Sequence, residues 1–187
     1  MAFEVHPVTK DRWPDLVELF DRPTVRTCFC MFYRKTGENT GVGRANRRQM
    51  QSLVDAGTVP GLIGYEDGVP VAWVSLGPRE DFAKLQRSPI MKPVDDQPVW
   101  SIVCFFVDRD ARGRGLAARM LHEAGAYAQS RGATLLEAYP VDTAERRDPD
   151  TMFFGAKSMY DDAGFKEVAR RKPSRPVVRR VLRRRGS

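Results

Sequence analysis

From Val99 to Val107 the chain reads Val-Trp-Ser-Ile-Val-Cys-Phe-Phe-Val, apolar at nearly every position. A run this short and this apolar suits a strand covered on both faces, not one that turns a side to water. A polar stretch, Asp108 to Ala111, and a glycine-rich corner, Arg112-Gly113-Arg114-Gly115, follow it. Directly after the corner, Leu116, Met120, Leu121, Ala124 and Ala128 fall at helical spacing. That spacing predicts a helix to about Arg131, stopped by Gly132. A two-sided strand feeding straight into a helix commits the chain to a layered α/β architecture. The corner adds chemistry. N–H groups of a first helical turn are unpaired, the helix dipole adds positive charge, and glycines let the backbone approach closely, so the corner suits a polyanion.

The remaining pattern builds a single domain around that unit. Phe3 to Val8 predicts a first strand. Asp11 caps a helix with Pro14 in its first turn and Trp13, Leu16, Val17 and Phe20 on one face; Pro23 ends it. Thr27 to Tyr33 is apolar and sulfur-rich without a clear period. Gly37 to Gly43 reads as a loop, and Arg44 to Ala56 as a helix with Met50, Leu53 and Val54 inward. Pro60 to Glu66 and Val69 to Leu76 form a hairpin about Asp67-Gly68. The proline-rich segment Gly77 to Pro98, with a short helix near Asp81 to Gln86, is long enough to be functional or mobile. Thr134 to Tyr139 is a strand reached by a helical crossover, hence parallel to the Val99–Val107 strand. A polar loop runs from Val141 to Asp150, a helix from Thr151 to Ala163, and two antiparallel strands cover Phe165 to Arg170 and Val177 to Leu182.

A chain of 187 residues can bury a full core in one domain. It has no apolar run long enough to cross a bilayer, and its first residues lack the pattern of a signal peptide. Three cysteines are too few for a disulfide scaffold, so a cytoplasmic location is expected. The net charge of +7 is local. Nine basic and no acidic residues lie between Arg170 and Ser187, which leaves the rest of the chain near neutral. Without interleaved aromatics this run reads as a solvated edge strand and tail, not a nucleic-acid surface. Cys28 and Cys30, with two histidines in the whole chain, make no metal site and read as packing thiols beside Phe29, Met31, Phe32 and Tyr33. Cys104 reads as a core residue with no histidine placed to activate it.

The corner is neither a Walker loop nor a dinucleotide fingerprint, since Ala118 stands where the latter needs glycine. Its pattern [RQ]-x-x-G-x-[GA], here Arg112-Gly113-Arg114-Gly115-Leu116-Ala117 after a strand ending Phe105-Phe106-Val107, resembles the pyrophosphate loop of the GNAT superfamily of acyl-CoA-dependent N-acetyltransferases. Tyr160-Asp161-Asp162-Ala163-Gly164-Phe165 resembles that family's late Y-x-x-x-G-F signature, in the right order within the same topology.

The resemblance implies a single GNAT domain over 1–182, with 183–187 as a basic tail. Its sheet would be mixed and mostly antiparallel, of about seven strands. The fourth and fifth strands would be parallel and splayed, with helices on both faces. It implies acetyl-CoA as co-substrate, no metal, and attack by a primary amine on the thioester in a ternary complex. Phe105, Phe106 and Val107 would meet the pantetheine arm, while Arg112, Gly113, Arg114, Gly115, Leu116 and Ala117 would wrap the pyrophosphate. Tyr160 would be the general acid. Family members often place a glutamate where Ser101 stands and an asparagine where Phe153 stands, so the base must be sought elsewhere. Glu137 and Asp142, on and after the fifth strand, are the candidates. The segment about Cys28–Tyr33 and the Gly77–Pro98 loop would wall the acceptor pocket. The resemblance adds a small-molecule or peptide amine as acceptor, no membrane partner, and room for a homodimer. The alternative readings are a non-catalytic acyl-CoA sensor of the same fold and a basic nucleic-acid-binding adaptor.

Overall fold

A computed structural model describes residues 2–23, 25–35, 43–143 and 152–182. Seven strands, β1 (Phe3–Pro7), β2 (Gly61–Glu66), β3 (Val69–Pro78), β4 (Trp100–Val107), β5 (Leu135–Ala138), β6 (Lys166–Lys172) and β7 (Arg175–Val181), form one sheet in the order β1-β2-β3-β4-β5-β7-β6. Only β4 and β5 run parallel; every other pair is antiparallel. The helices are α1 (Trp13–Phe20), α2 (Arg44–Asp55), α3 (Ala83–Arg87), α4 (Leu116–Ser130) and α5 (Lys157–Asp162). This is the mixed, splayed single-domain α/β fold that the resemblance implies.

Both faces of the sheet are covered, as the two-sided β4 requires. On one face Met120, Leu121, Ala124 and Ala128 of α4, with Tyr160 of α5, pack on Val74, Ile102, Phe105 and Val178. On the other face α1, α2 and the segment 25–31 pack on Ile63, Trp73 and Phe106. The segment from Phe82 to Met91 covers Val103, Tyr139 and Val177 beside them. The β3–β4 register shifts at Ser75/Leu76, where Val103 is an extra residue on β4. Such a bulge bends and twists its strand. Here Val103 and Cys104 both pack toward the α1–α2 side, while Ile102 and Phe105 face α4.

Three details differ from the sequence pattern. The last helix begins at Lys157, not Thr151, because Gly155 takes a left-handed φ of 74° and Ala156 is extended. The short helix lies at Ala83–Arg87, after a 3-10 turn over Arg79–Asp81. The arginine-rich end is only partly a solvated edge: β6 is the edge strand, but β7 lies between β5 and β6, and Arg179 is buried. Most of the 141–150 loop and the tail 183–187 lie outside the described residues.

Candidate active site

After β4 the chain turns over Arg109–Ala111, with the Asp108 carboxylate accepting from the Asp110 N–H at 3.3 Å and from Arg22 Nε at 3.0 Å. Gly113 and Gly115 then both adopt left-handed φ, 78° and 72°, which a side chain would resist. The Arg119 N–H reaches the Gly115 carbonyl at 3.2 Å. Leu116, Ala117 and Ala118, which precede it in α4, therefore bring N–H groups that have no helical acceptor. Arg112 stays on the cleft side, its Nε donating to the Val107 carbonyl at 3.0 Å. Arg114 turns away to Glu66 on β2 and the Asp110 carbonyl, outside the cleft lining.

The cleft in front of this turn has a volume of about 430 Å³. Phe105, Phe106 and Val107 line one side, Met152, Phe153 and Met159 the other, and the Arg112–Ala117 backbone closes one end. It exists because the parallel strands part. They pair only at Trp100–Leu136, Ser101–Glu137 and Ile102–Ala138. Beyond that, the segment 153–155 enters the gap: the Phe105 N–H donates to the Phe153 carbonyl at 2.6 Å, and the Val141 N–H to that of Gly155 at 3.0 Å.

The structure does not gather the acid and base candidates in the cleft lining. Tyr160 is fully buried between Phe105 and Phe165, and its hydroxyl donates to the Phe154 carbonyl at 2.9 Å. Burial pushes its phenol well above the ordinary range. Glu137, also fully buried, accepts from Arg79, from Arg179 Nε at 2.8 Å and from the Tyr139 hydroxyl at 2.6 Å. Ser101 joins this chain through Tyr139 Oη at 2.8 Å. Asp142 accepts from Arg170 at 2.7 Å.

A second cavity, of about 200 Å³, lies on the α1–α2 side of β4. Cys28, Cys30, Cys104, Phe32, Tyr33 and Phe154 line it, and Phe153 borders both this space and the cleft. The three cysteines are free thiols. No group of metal-ligating side chains occurs among the described residues.

Sequence reasoning missed the arginines that tie this region together. Arg79 donates to Glu137, Tyr139 and the carbonyls of Leu85 and Met91. Arg179 donates to both oxygens of Asp95, and Arg175 to the Tyr139 carbonyl. A single arginine in a loop signals nothing by itself; the available cue was an unmatched glutamate inside the apolar run Leu135–Tyr139.

The model of the acetyltransferase (GNAT) family matches residues 8–148. No curated protein sequence matches the chain. Among solved structures, a mosquito arylalkylamine N-acetyltransferase like 5b is similar with a TM-score of 0.62 at 10% identity, over 97% of this chain and 100% of that one. The PaiA N-acetyltransferase of Thermoplasma acidophilum, in complex with coenzyme A, gives a TM-score of 0.55 at 11% identity, over 97% and 99%. An N-acetyltransferase from Staphylococcus aureus Mu50 gives 0.57 at 13%, over 98% and 100%. At these identities the likeness is one of fold.

Proposed function

Because the chain belongs to the GNAT acetyltransferase family, whose members are acyl-CoA-dependent N-acyltransferases, we propose that it transfers an acetyl group from acetyl-CoA to a primary amine by direct attack in a ternary complex. The observation that carries this reading is the cleft: it joins the open N-terminus of α4, flanked by two left-handed glycines, to the gap where β4 leaves β5. The residues present fit the co-substrate. Backbone N–H groups of 115–117 and the Arg112 side chain suit a pyrophosphate. An extended pantetheine arm can add itself to β4 past the Phe105–Phe153 contact, at Phe106 and Val107. Backbone N–H groups there would also polarise the thioester carbonyl as charge develops on it.

The acceptor arrives from the opposite side of Phe153, through the cavity walled by Cys28–Tyr33. Its lining of aromatic rings and thiols suits an amine carrying an apolar, aromatic body. Tyr160 is our candidate donor to the departing thiolate. Its phenol stays protonated at neutral pH, as a donor must, and it would exchange the Phe154 carbonyl for the sulfur during turnover.

Titration calorimetry with acetyl-CoA, followed by free-thiol release in the presence of phenethylamine, tests the reading. Binding with thiol release is the expected result. Binding without release across a panel of amines would favour the sensor, a reading supported by the engagement of both carboxylates with arginines. Absence of binding removes both.

A further inference from the structure

Two consecutive carbonyls, those of Phe153 and Phe154, hold the two groups that the proposed reaction needs free. Along β4 the backbone groups turn to alternate sides. The Asp108 N–H pairs with the Val71 carbonyl toward β3, so the backbone groups of Phe105 and Val107 face the cleft. Polar groups on such a half-buried edge need partners, and this chain supplies its own. The Phe105 N–H donates to the Phe153 carbonyl at 2.6 Å, and the Val107 carbonyl accepts from Arg112 Nε at 3.0 Å. One residue on, the Phe154 carbonyl accepts from the Tyr160 hydroxyl at 2.9 Å.

Both carbonyls belong to one β-turn. The Gly155 N–H closes it on the Met152 carbonyl at 2.9 Å, which puts Phe153 and Phe154 at its central positions. Toward β5, the Gly155 carbonyl accepts from the Val141 N–H at 3.0 Å, and the Val141 carbonyl from the Lys157 N–H at 2.9 Å. The segment thus continues the sheet past β5 as a short parallel addition. Toward β4 its backbone bond is the one to Phe105. The turn depends on Gly155, whose φ of 74° a side chain would resist, and where a Cβ would meet Met159 Cε at 2.7 Å.

We propose that the Met152–Gly155 turn is a resting-state cap that acetyl-CoA displaces from β4 as it binds. The proposal rests on the acetyl-transfer reading above. When the turn opens, the Phe105 N–H passes from the Phe153 carbonyl to a carbonyl of the incoming arm. The Tyr160 hydroxyl leaves the Phe154 carbonyl and turns to the sulfur. Each donor exchanges one acceptor for another, so opening leaves neither unpaired. The Phe154 ring, 5.3 Å from Tyr33 and 4.1 Å from the Arg175 guanidinium, keeps the segment attached meanwhile. Phe153 borders both the cleft and the second cavity, so the same opening joins the spaces where thioester and amine must meet. The cap also lowers affinity: a ligand that needs the open form binds more weakly by the fraction of molecules already open.

The test uses the full chain. By calorimetry, Gly155→Ala, which strains the closed turn, should bind acetyl-CoA about three- to tenfold more tightly than the parent. Adenosine 3′,5′-bisphosphate lacks the pantetheine arm and so never meets the turn; it should bind both proteins equally. In the parent, acetyl-CoA should speed hydrogen exchange at the Gly155 amide, which loses the Met152 carbonyl, while the Phe105 amide stays protected. A ligand lying beside an intact turn would slow both. The proposal is overturned if Gly155→Ala weakens acetyl-CoA binding or leaves it unchanged, or if the bisphosphate shares the gain. It is equally overturned if the parent's Gly155 amide exchanges no faster with acetyl-CoA than without. That last arm needs no variant, so it decides even where Gly155→Ala fails to fold. Failure of the parent to bind acetyl-CoA at all brings down the acetyl-transfer reading as well, so the two failures are told apart.

Discussion

Glu137 carries more of the structure than a strand residue with an exposed alternative would. Two guanidiniums and a phenol converge on it in a fully buried site. Removing the carboxylate leaves buried Arg79 with neutral acceptors alone and takes one of two carboxylates from Arg179, at a cost of about 3–5 kcal/mol. Glu137→Ala should therefore lose about that much in urea unfolding, with a correspondingly lower midpoint. Gly115 is the opposite kind of residue, with open space where a Cβ would sit and a φ of 72°. Gly115→Ala should cost only about 1–2 kcal/mol of stability. The same change disturbs the backbone that opens α4, so calorimetry should show acetyl-CoA binding weakened by about tenfold or more, a loss near 1.4 kcal/mol. Gly155 adds a steric version of the argument: a Cβ there would meet Met159 Cε at 2.7 Å. The glycine-rich corner was legible in the sequence because its φ requirements are local. The arginine partners of Glu137 were not, because they lie 42 and 58 positions away in the chain and only the fold brings them in.

At the scale of elements, the segment between β3 and β4 is a strap fastened by side chains. Arg79 grips the Leu85 and Met91 carbonyls from beneath. Arg171 on β6 reaches those of Ile90, Lys92 and Pro93, and Arg179 on β7 holds Asp95. The prolines that made this segment read as a long loop also leave it poor in backbone pairing, so arginines on neighbouring strands supply the anchorage. Arg171→Ala should speed hydrogen exchange across 88–97 while leaving α4 amides unchanged. Acid should release the strap more gradually. The Asp95 carboxyl is held below its ordinary value of 3.8, first by Arg179 and then by the Gln97 N–H. A group with a lowered value stabilises fully above its ordinary pKa and loses that contribution as pH falls through the lowered one. Exchange in the strap should thus accelerate below about pH 4, and Asp95→Asn should abolish that dependence. The helices α1, α2 and α4 were legible because each shows one apolar face, and β2 and β3 because Asp67-Gly68 marks the turn between two apolar runs. The stretch before α5 was not, since a single left-handed glycine at 155 overrides the helical pattern on either side.

Across the whole molecule the sheet is two antiparallel blocks, β1–β4 and β5–β7–β6, joined by a parallel seam of three residue pairs. The seam is short because segment 153–155 enters between the strands beyond Ile102. A co-substrate that bridges the gap binds only the closed arrangement. At a free concentration about 100 times its Kd, it should stabilise the protein by about 2.7 kcal/mol, read as a rise in Tm. Without that bridge, the joining falls to the apolar packing of α4 and Tyr160 across both blocks and to the charged set around Glu137. The consequence is one of cooperativity. The two blocks should behave as separate foldons, the last three strands opening as a unit before β1–β4 lose protection in native-state hydrogen exchange. A molecule of this shape is weakest along that seam, and on our proposal the co-substrate is the brace that closes it.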